Sequence, residues 1–170
     1  MILAFDTYYF DNKAKTVCIS FDNWADEESF KVYSEITENM EAYQSGAFYK
    51  RELPCILSLL DKIEVKDIEA IIVDGYVYLD DNEKPGLGAH LHRHLNGRIP
   101  IIGVSKTNFA TLDKNKRALQ RGNSIRPLYI TSVGIDLDEA TRLVQNMKGL
   151  NRIPTLLKTL DRLTKENNRG

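Results

Sequence analysis

The 170-residue sequence has only two cysteines, Cys18 and Cys55. Neither has metal-ligand spacing, which excludes a disulfide framework and a cysteine-based zinc site. Two buried thiols in a reducing compartment are expected instead. No apolar run approaches the roughly 18 residues of a membrane span, so no membrane partner is expected. The opening Met-Ile-Leu-Ala-Phe-Asp-Thr has neither a basic segment nor a small-residue cleavage site, which argues against a signal peptide. A cytoplasmic location follows as the expectation. There is no repeat, no low-complexity tract and no long linker. With 42% hydrophobic and 28% charged residues, the chain reads as one domain over residues 1–170, long enough to bury a core. A monomer is favoured.

Net charge is also nearly absent, at −1, but the two halves differ. Residues 1–92 carry 18 Asp/Glu and 8 Lys/Arg, whereas residues 93–170 carry 15 Lys/Arg and 6 Asp/Glu. Within 93–126 there are 8 basic residues, Arg126 the last of them, and 1 acidic. Such a split fits an acidic metal site beside a phosphate-binding surface. It fits equally well two halves that pack together and neutralise each other.

Residues 2–10 and 15–21 are strand-like and flank a turn signal, Asp11-Asn12-Lys13, so they predict a hairpin. Residues 29–37 alternate with period two and predict a third strand. From about Gly46 to Lys62 the apolar spacing Phe48, Leu53, Ile56, Leu57, Leu60 is helical. Residues 69–74 are a continuous apolar run ending in aspartate, a buried central strand. Two further buried strands are expected in Pro100-Ile-Ile-Gly-Val-Ser and Pro127-Leu-Tyr-Ile-Thr-Ser-Val. A helix opened by acidic residues is predicted over 136–147. A last helix follows Pro154, from Thr155 to about Asn167. Three antiparallel strands, a helix, then parallel strands alternating with helices make a mixed α/β sheet flanked by helices.

Asp6 lies within the apolar strand Ile2-Leu-Ala-Phe, and Asp74 closes Ala70-Ile-Ile-Val. A carboxylate in such a place is costly unless paired or bound to a cation. Glu52 shares a helix with Phe48, Leu53 and Ile56, and Asp161 shares one with Leu157 and Leu160. Either can face inward. Taken singly, each has a plainer reading as a cap, a turn residue or a solvated acid. Together, four hard oxygen ligands at one sheet end would bind Mg²⁺, with Mn²⁺ as a substitute. Two such ions can activate water and stabilise a leaving oxygen in phosphodiester hydrolysis. Lys106, following a buried strand, is placed to offset developing negative charge.

The motifs resemble those of the endonuclease V family, the deoxyinosine 3′ endonucleases. That family typically reads Tyr-Ile/Val-Pro-Gly-Phe/Leu-Leu-Ala-Phe-Arg-Glu, and this chain has Tyr43, Gly46, Arg51 and Glu52 in that register. Val73-Asp74-Gly75 matches its Val-Asp-Gly. Gly86-Leu-Gly88-Ala-His90-Leu91-His92 is similar to its Gly-Leu-Ala-Ser-His-Leu-Gly. Ile102-Gly-Val-Ser-Lys106, Pro127-Leu-Tyr-Ile-Thr-Ser-Val-Gly134 and Arg152-Ile-Pro154 followed by Asp161 match three more segments. The resemblance runs from about Asp6 to Asp161. It implies an RNase H-like fold and a Mg²⁺-dependent nuclease that cuts 3′ to inosine, in DNA or RNA, as in DNA repair. It also implies Asp6, Glu52, Asp74 and Asp161 as metal and catalytic carboxylates, and Lys106 near the scissile phosphate. Tyr43, Gly46, Arg51, Gly86, Gly88, His90 and Arg126 are the expected nucleic-acid contacts.

The chain departs from the family pattern in three places. The family's wedge Pro-Tyr-Ile/Val-Pro is here Ala42-Tyr43-Gln44-Ser45, so the aromatic remains without its prolines. A histidine expected six residues after the middle aspartate is Asp80, where Asp80 or Asp81 could ligate a metal or simply be solvated. The Gly-His after the Pro-Leu-Tyr strand is Gly134-Ile135. A shifted target is therefore the alternative: RNA, single strands or branched nucleic acid, or a binding relative without turnover. His90, His92 and His94 form a His-x-His-x-His run that invites a zinc reading. In a short helix, however, alternate positions diverge and do not share one ion.

Overall fold

The computed structural model describes residues 1–38, 48–64 and 66–166. Apolar alternation builds β1 (Ile2–Phe10) and β2 (Lys13–Phe21). Asp11 and Asn12 link them at φ 46° and 59°, the left-handed pair that a two-residue hairpin turn requires. β3 (Lys31–Thr37) adds to β2 antiparallel. β4 (Ala70–Asp74) and β5 (Ile101–Ser105) run parallel to β1. β6 (Arg117–Leu119) and β7 (Leu128–Val133) complete a seven-stranded sheet of order β3-β2-β1-β4-β5-β7-β6. The helices are α1 (Phe48–Leu60), α2 (Leu87–His94), α3 (Leu137–Gln145) and α4 (Thr155–Lys165).

This is the expected mixed sheet flanked by helices, and its arrangement is RNase H-like. One detail differs from the expectation of parallel strands throughout the second half: β7 lies antiparallel to β5. A parallel return needs a crossover, usually helical. The chain between Ser105 and Leu128 holds only the short strand β6, so it folds back along the edge. Three residues, Arg117-Ala-Leu119, were too few to carry a readable period. The last helix is described as far as Lys165, Asn167 lying outside the described residues, and α3 begins after Asp136, whose carboxylate caps it by accepting from the Glu139 amide at 3.1 Å.

Strand alternation sorts the core into two layers. Leu3, Phe5, Ile71, Val73 and Ile101 pack under α1 and α2, against Leu53, Ile56, Leu59, Leu87 and Leu91. Ile2, Ala4, Ala70, Ile72, Ile102 and Val104 pack on the opposite face against Ala140 and Val144 of α3 and Leu156 and Leu160 of α4. Among the described residues no helix is long and apolar enough to cross a membrane.

Candidate active site

The same alternation places the polar residues. On β1 the side chains of Ile2 and Ala4 face α4, so the next residue of that parity, Asp6, faces α4 as well. On β4 the series is Ala70, Ile72, Asp74, and on β5 it is Ile102, Val104, Lys106. Phe5 is paired with Val73, and Asp74 with Val104. Three parallel neighbours thus bring Asp6, Asp74 and Lys106 to one face at their carboxyl ends. That is where open α/β sheets generally place their ligands. A small cleft opens there, lined by Asp6, Asp74, Lys106 and Asp161 over an apolar floor that includes Val104, Leu157 and Leu160.

Glu52 arrives from the other layer. It continues the buried stripe Cys55, Ile56 and Leu59 at helical spacing, and it is only 3% exposed. It does not line the cleft, but it feels the charges of Asp74 and Asp6. Burial, then repulsion from Asp74 and Asp6, raises the Glu52 carboxyl well above its usual range. Asp6, 7% exposed, is pushed up to about 8, first by burial and then by Asp74, against a favourable bond from the Thr7 amide at 2.9 Å. Asp74 opens to solvent at the end of β4. Loss of water around its base still raises its carboxyl, and Asp161 adds repulsion, while Lys106 and a side-chain hydrogen bond with Asp6 pull the other way. Asp161 is bound by Lys165 one turn later, at 3.1 Å.

Four oxygen donors, two of them buried (Asp6 and Glu52), suit a hard divalent cation. Among the described residues no three His, Cys, Asp or Glu side chains already stand as a closed ligand set. An ion bound there would favour the ionised forms of Asp6, Glu52 and Asp74.

The other expected contacts fall in several places. Arg51 lies over the Tyr9 ring, its guanidinium carbon 3.9 Å from the centroid, with Nε buried and without a partner. Gly86 and Gly88 are tied to the chain itself: their amides donate to Val77 and Tyr76 carbonyls at 2.8 and 3.2 Å. A Cβ on Gly88 would sit 2.6 Å from Val77 Cγ2. Close approach of the protein's own backbone therefore accounts for both glycines, and their amides are engaged internally. His90 stacks on Tyr49 at 3.7 Å. The His92 ring lies instead beside Gly97 and Gly134, so the histidines diverge around the helix. Arg126 is exposed at the entry to β7. Tyr43 and Gly46 lie outside the described residues. Asp80 accepts the amides of Asn82 and Lys84, and Asp81 those of Asp113, Lys114 and Asn115, so both carboxylates organise loops.

Arg152 acquires a role that the sequence did not assign. Its guanidinium donates to the carbonyls of Lys106 and Pro127 at 2.5 and 2.7 Å, fastening the end of β5 to the start of β7. Its place in the Arg-Ile-Pro motif was the available signal. Arg121 is buried and donates to the carbonyls of Met147, Gly149, Asn151 and Arg152, shaping the lead-in to α4. No spacing in the sequence marked it.

Fold and family together define a nuclease of the RNase H-like class. The chain belongs to the endonuclease V family, whose model matches residues 1–162. Among solved structures it is similar to Streptomyces avermitilis endonuclease V at 23% identity and a TM-score of 0.79, covering 96% of this chain and 79% of that one. Endonuclease V of Ciona intestinalis, solved with DNA containing an inosine followed by a ribo-adenosine, matches at 16% identity and a TM-score of 0.81, over 97% and 84% of the two chains. Human ENDOV matches at 23% and 0.71, over 97% and 82%. No curated protein matches the sequence significantly.

Proposed function

We propose that this chain is a divalent-metal-dependent endonuclease that hydrolyses a phosphodiester 3′ to inosine in DNA or RNA. The observation that carries the reading is the placement of Asp6, Asp74 and Lys106 on one face at adjoining strand ends, with Asp161 across the cleft and Glu52 beneath. The inosine-containing DNA bound by the Ciona relative supports the substrate. Asp6, Glu52, Asp74 and Asp161 would hold Mg²⁺, or Mn²⁺ in its place. When bound, such an ion supplies an activated water and neutralises charge on the phosphate. Lys106, exposed at the end of β5, meets the phosphate and offsets the charge that develops on it. Arg152 keeps the Lys106 backbone in place. Leu157, Leu160 and Val104 floor the cleft and lower the local dielectric, which strengthens these interactions.

A second target, single-stranded nucleic acid or RNA, is favoured by Ala42-Tyr43-Gln44-Ser45. Without its prolines this segment retains an aromatic for stacking but lacks a rigid wedge for opening a duplex.

The test is cleavage of end-labelled oligonucleotides with one inosine, as single- and double-stranded DNA and RNA, with Mg²⁺, Mn²⁺ or EDTA. The expected product is a single metal-dependent cut at the second phosphodiester 3′ to inosine, absent in Asp74→Asn. Equal cleavage of oligonucleotides lacking inosine overturns the specificity. Cleavage in EDTA, or full turnover in Asp74→Asn, overturns the mechanism.

A further inference from the structure

Just past Lys106 the chain presents an aromatic surface that the carboxylate site does not use. Phe109 leaves 38% of its surface in water. Single exposed rings are common, but this one has company. Tyr76, two residues after Asp74, lies against it with ring centroids 5.7 Å apart. The segment between is fastened from both sides. The Tyr76 hydroxyl and the Ser105 hydroxyl both donate to the Thr107 carbonyl. Opposite them, Lys116 Nζ donates to Asn108 Oδ1 at 2.6 Å and to the Phe109 carbonyl at 3.3 Å. The same ammonium stands 5.5 Å from the centre of the Tyr129 ring. Phe109 is thus an exposed ring on a pinned loop, backed by a second ring and held by the Lys116 ammonium.

We infer that Tyr76 and Phe109 form a stacking platform for a nucleobase beside the scissile phosphate, on the strand that Lys106 engages. This rests on the nuclease reading above. Phe109 follows Lys106 by three positions, so their Cα atoms are within about 11 Å of each other. A strand whose phosphate meets Lys106 therefore carries a neighbouring base to this ring. A nucleobase is the favoured occupant because Lys116 is bonded to the Phe109 carbonyl and Lys106 stands at the cleft three positions earlier in the chain. That surround suits a flat ring joined to phosphate. Every base has a π-face, so the platform adds affinity without reading sequence, and inosine selection stays with the rest of the site.

The experiment uses the full chain in EDTA, to hold back cleavage, and single-stranded oligonucleotides with one inosine or with adenosine in its place. A 2-aminopurine is moved one position at a time along the flank. In the parent, one position is quenched on binding. In Phe109→Ala that quenching is lost, and both oligonucleotides bind about 5- to 150-fold more weakly. The inosine-to-adenosine ratio is unchanged, and so is the slope of affinity against salt. Phe109→Trp restores both signals, and a melting temperature within about 2 °C of the parent's excludes unfolding of a half-exposed site. Binding of Phe109→Ala within twofold of the parent overturns the platform while leaving the nuclease intact. A changed inosine preference in that variant also overturns it, since the ring would then be reading the base. A parent chain that neither binds nor cuts any oligonucleotide refutes the functional reading, and the platform with it.

Discussion

Replacing Asp6 by asparagine separates what the site costs from what it does. In the folded chain the Asp6 carboxyl keeps its proton up to about pH 8, whereas its ordinary value is 3.8. Between those values the folded state binds more protons than the unfolded one, so stability falls as pH rises through the window. At roughly 1.4 kcal/mol per pH unit, a window of about four units sets an upper bound on the order of 5 kcal/mol. Asp74 shares the interaction, so about 2–3 kcal/mol is the working expectation for Asp6 alone. Asparagine cannot ionise, and its oxygen can still accept the Thr7 amide bond. Its buried N–H donors carry a penalty of their own, but that penalty does not change with pH. The readout is therefore the slope. In metal-free buffer the parent should lose about 4–12 °C of melting temperature between pH 5 and pH 9 relative to Asp6→Asn, at roughly 2–4 °C per kcal/mol. Added Mg²⁺ should raise the melting temperature of the parent at pH 9, raise it less at pH 6, and leave Asp6→Asn nearly unmoved, while the variant shows no cleavage. Parallel pH profiles for the two proteins would refute the account of a strained, proton-holding acid.

Gly103→Ala should destabilise by about 1–3 kcal/mol in urea, because a Cβ there would stand 2.4 Å from Thr131 Oγ1 and 2.5 Å from the Gly75 carbonyl; an unshifted midpoint would contradict the close strand-to-loop packing beside Asp74. Arg152→Lys lacks the planar fork that reaches both the Lys106 and Pro127 carbonyls. Single-turnover cleavage should fall about 10- to 100-fold with the melting temperature little changed, and unaltered cleavage would remove Arg152 from the site. Leu160→Ala, emptying a side chain only 3% exposed between α4 and the sheet, should cost about 2–5 kcal/mol by denaturant titration; a cost below about 1 kcal/mol would mean that α4 is not anchored there.

Most of the sheet was legible because its strands carry their own evidence. The strand-like stretches 2–10 and 15–21, period two in residues 29–37, and the apolar runs at 69–74 and after Pro100 point to strands. The same period dictated the site: once Ala4 and Ile72 face one layer, Asp6 and Asp74 must. Glu52 was legible through helical spacing with Ile56. What stayed hidden depends on contacts between distant segments. The antiparallel return of β7 is a matter of how the chain closes an edge, not of any residue in it. Arg121 reads as one more surface cation until four carbonyls are seen around it. Gly86 and Gly88, expected as nucleic-acid contacts, lie against the chain's own Tyr76 and Val77.

The charge split is resolved in the same way, and it narrows the argument for a phosphate-binding surface. Six of the 15 basic residues of the second half are engaged within the fold, four of them with acids of the same half, so the excess itself persists. Arg117 is paired with Asp138, Arg142 with Glu139, Arg162 with Glu166 and Lys165 with Asp161, while Arg121 and Arg152 serve carbonyls. The count alone therefore overstates the surface offered to a polyanion. What distinguishes the cleft is position: Lys106 stands at the end of the strand beside Asp74, with Lys116 holding the loop that follows. If nucleic acid is the substrate, its affinity should depend on salt with a slope set by a few phosphate contacts near those residues, far below the 15 basic residues of that half. A slope approaching that larger number would place the binding surface elsewhere on the molecule.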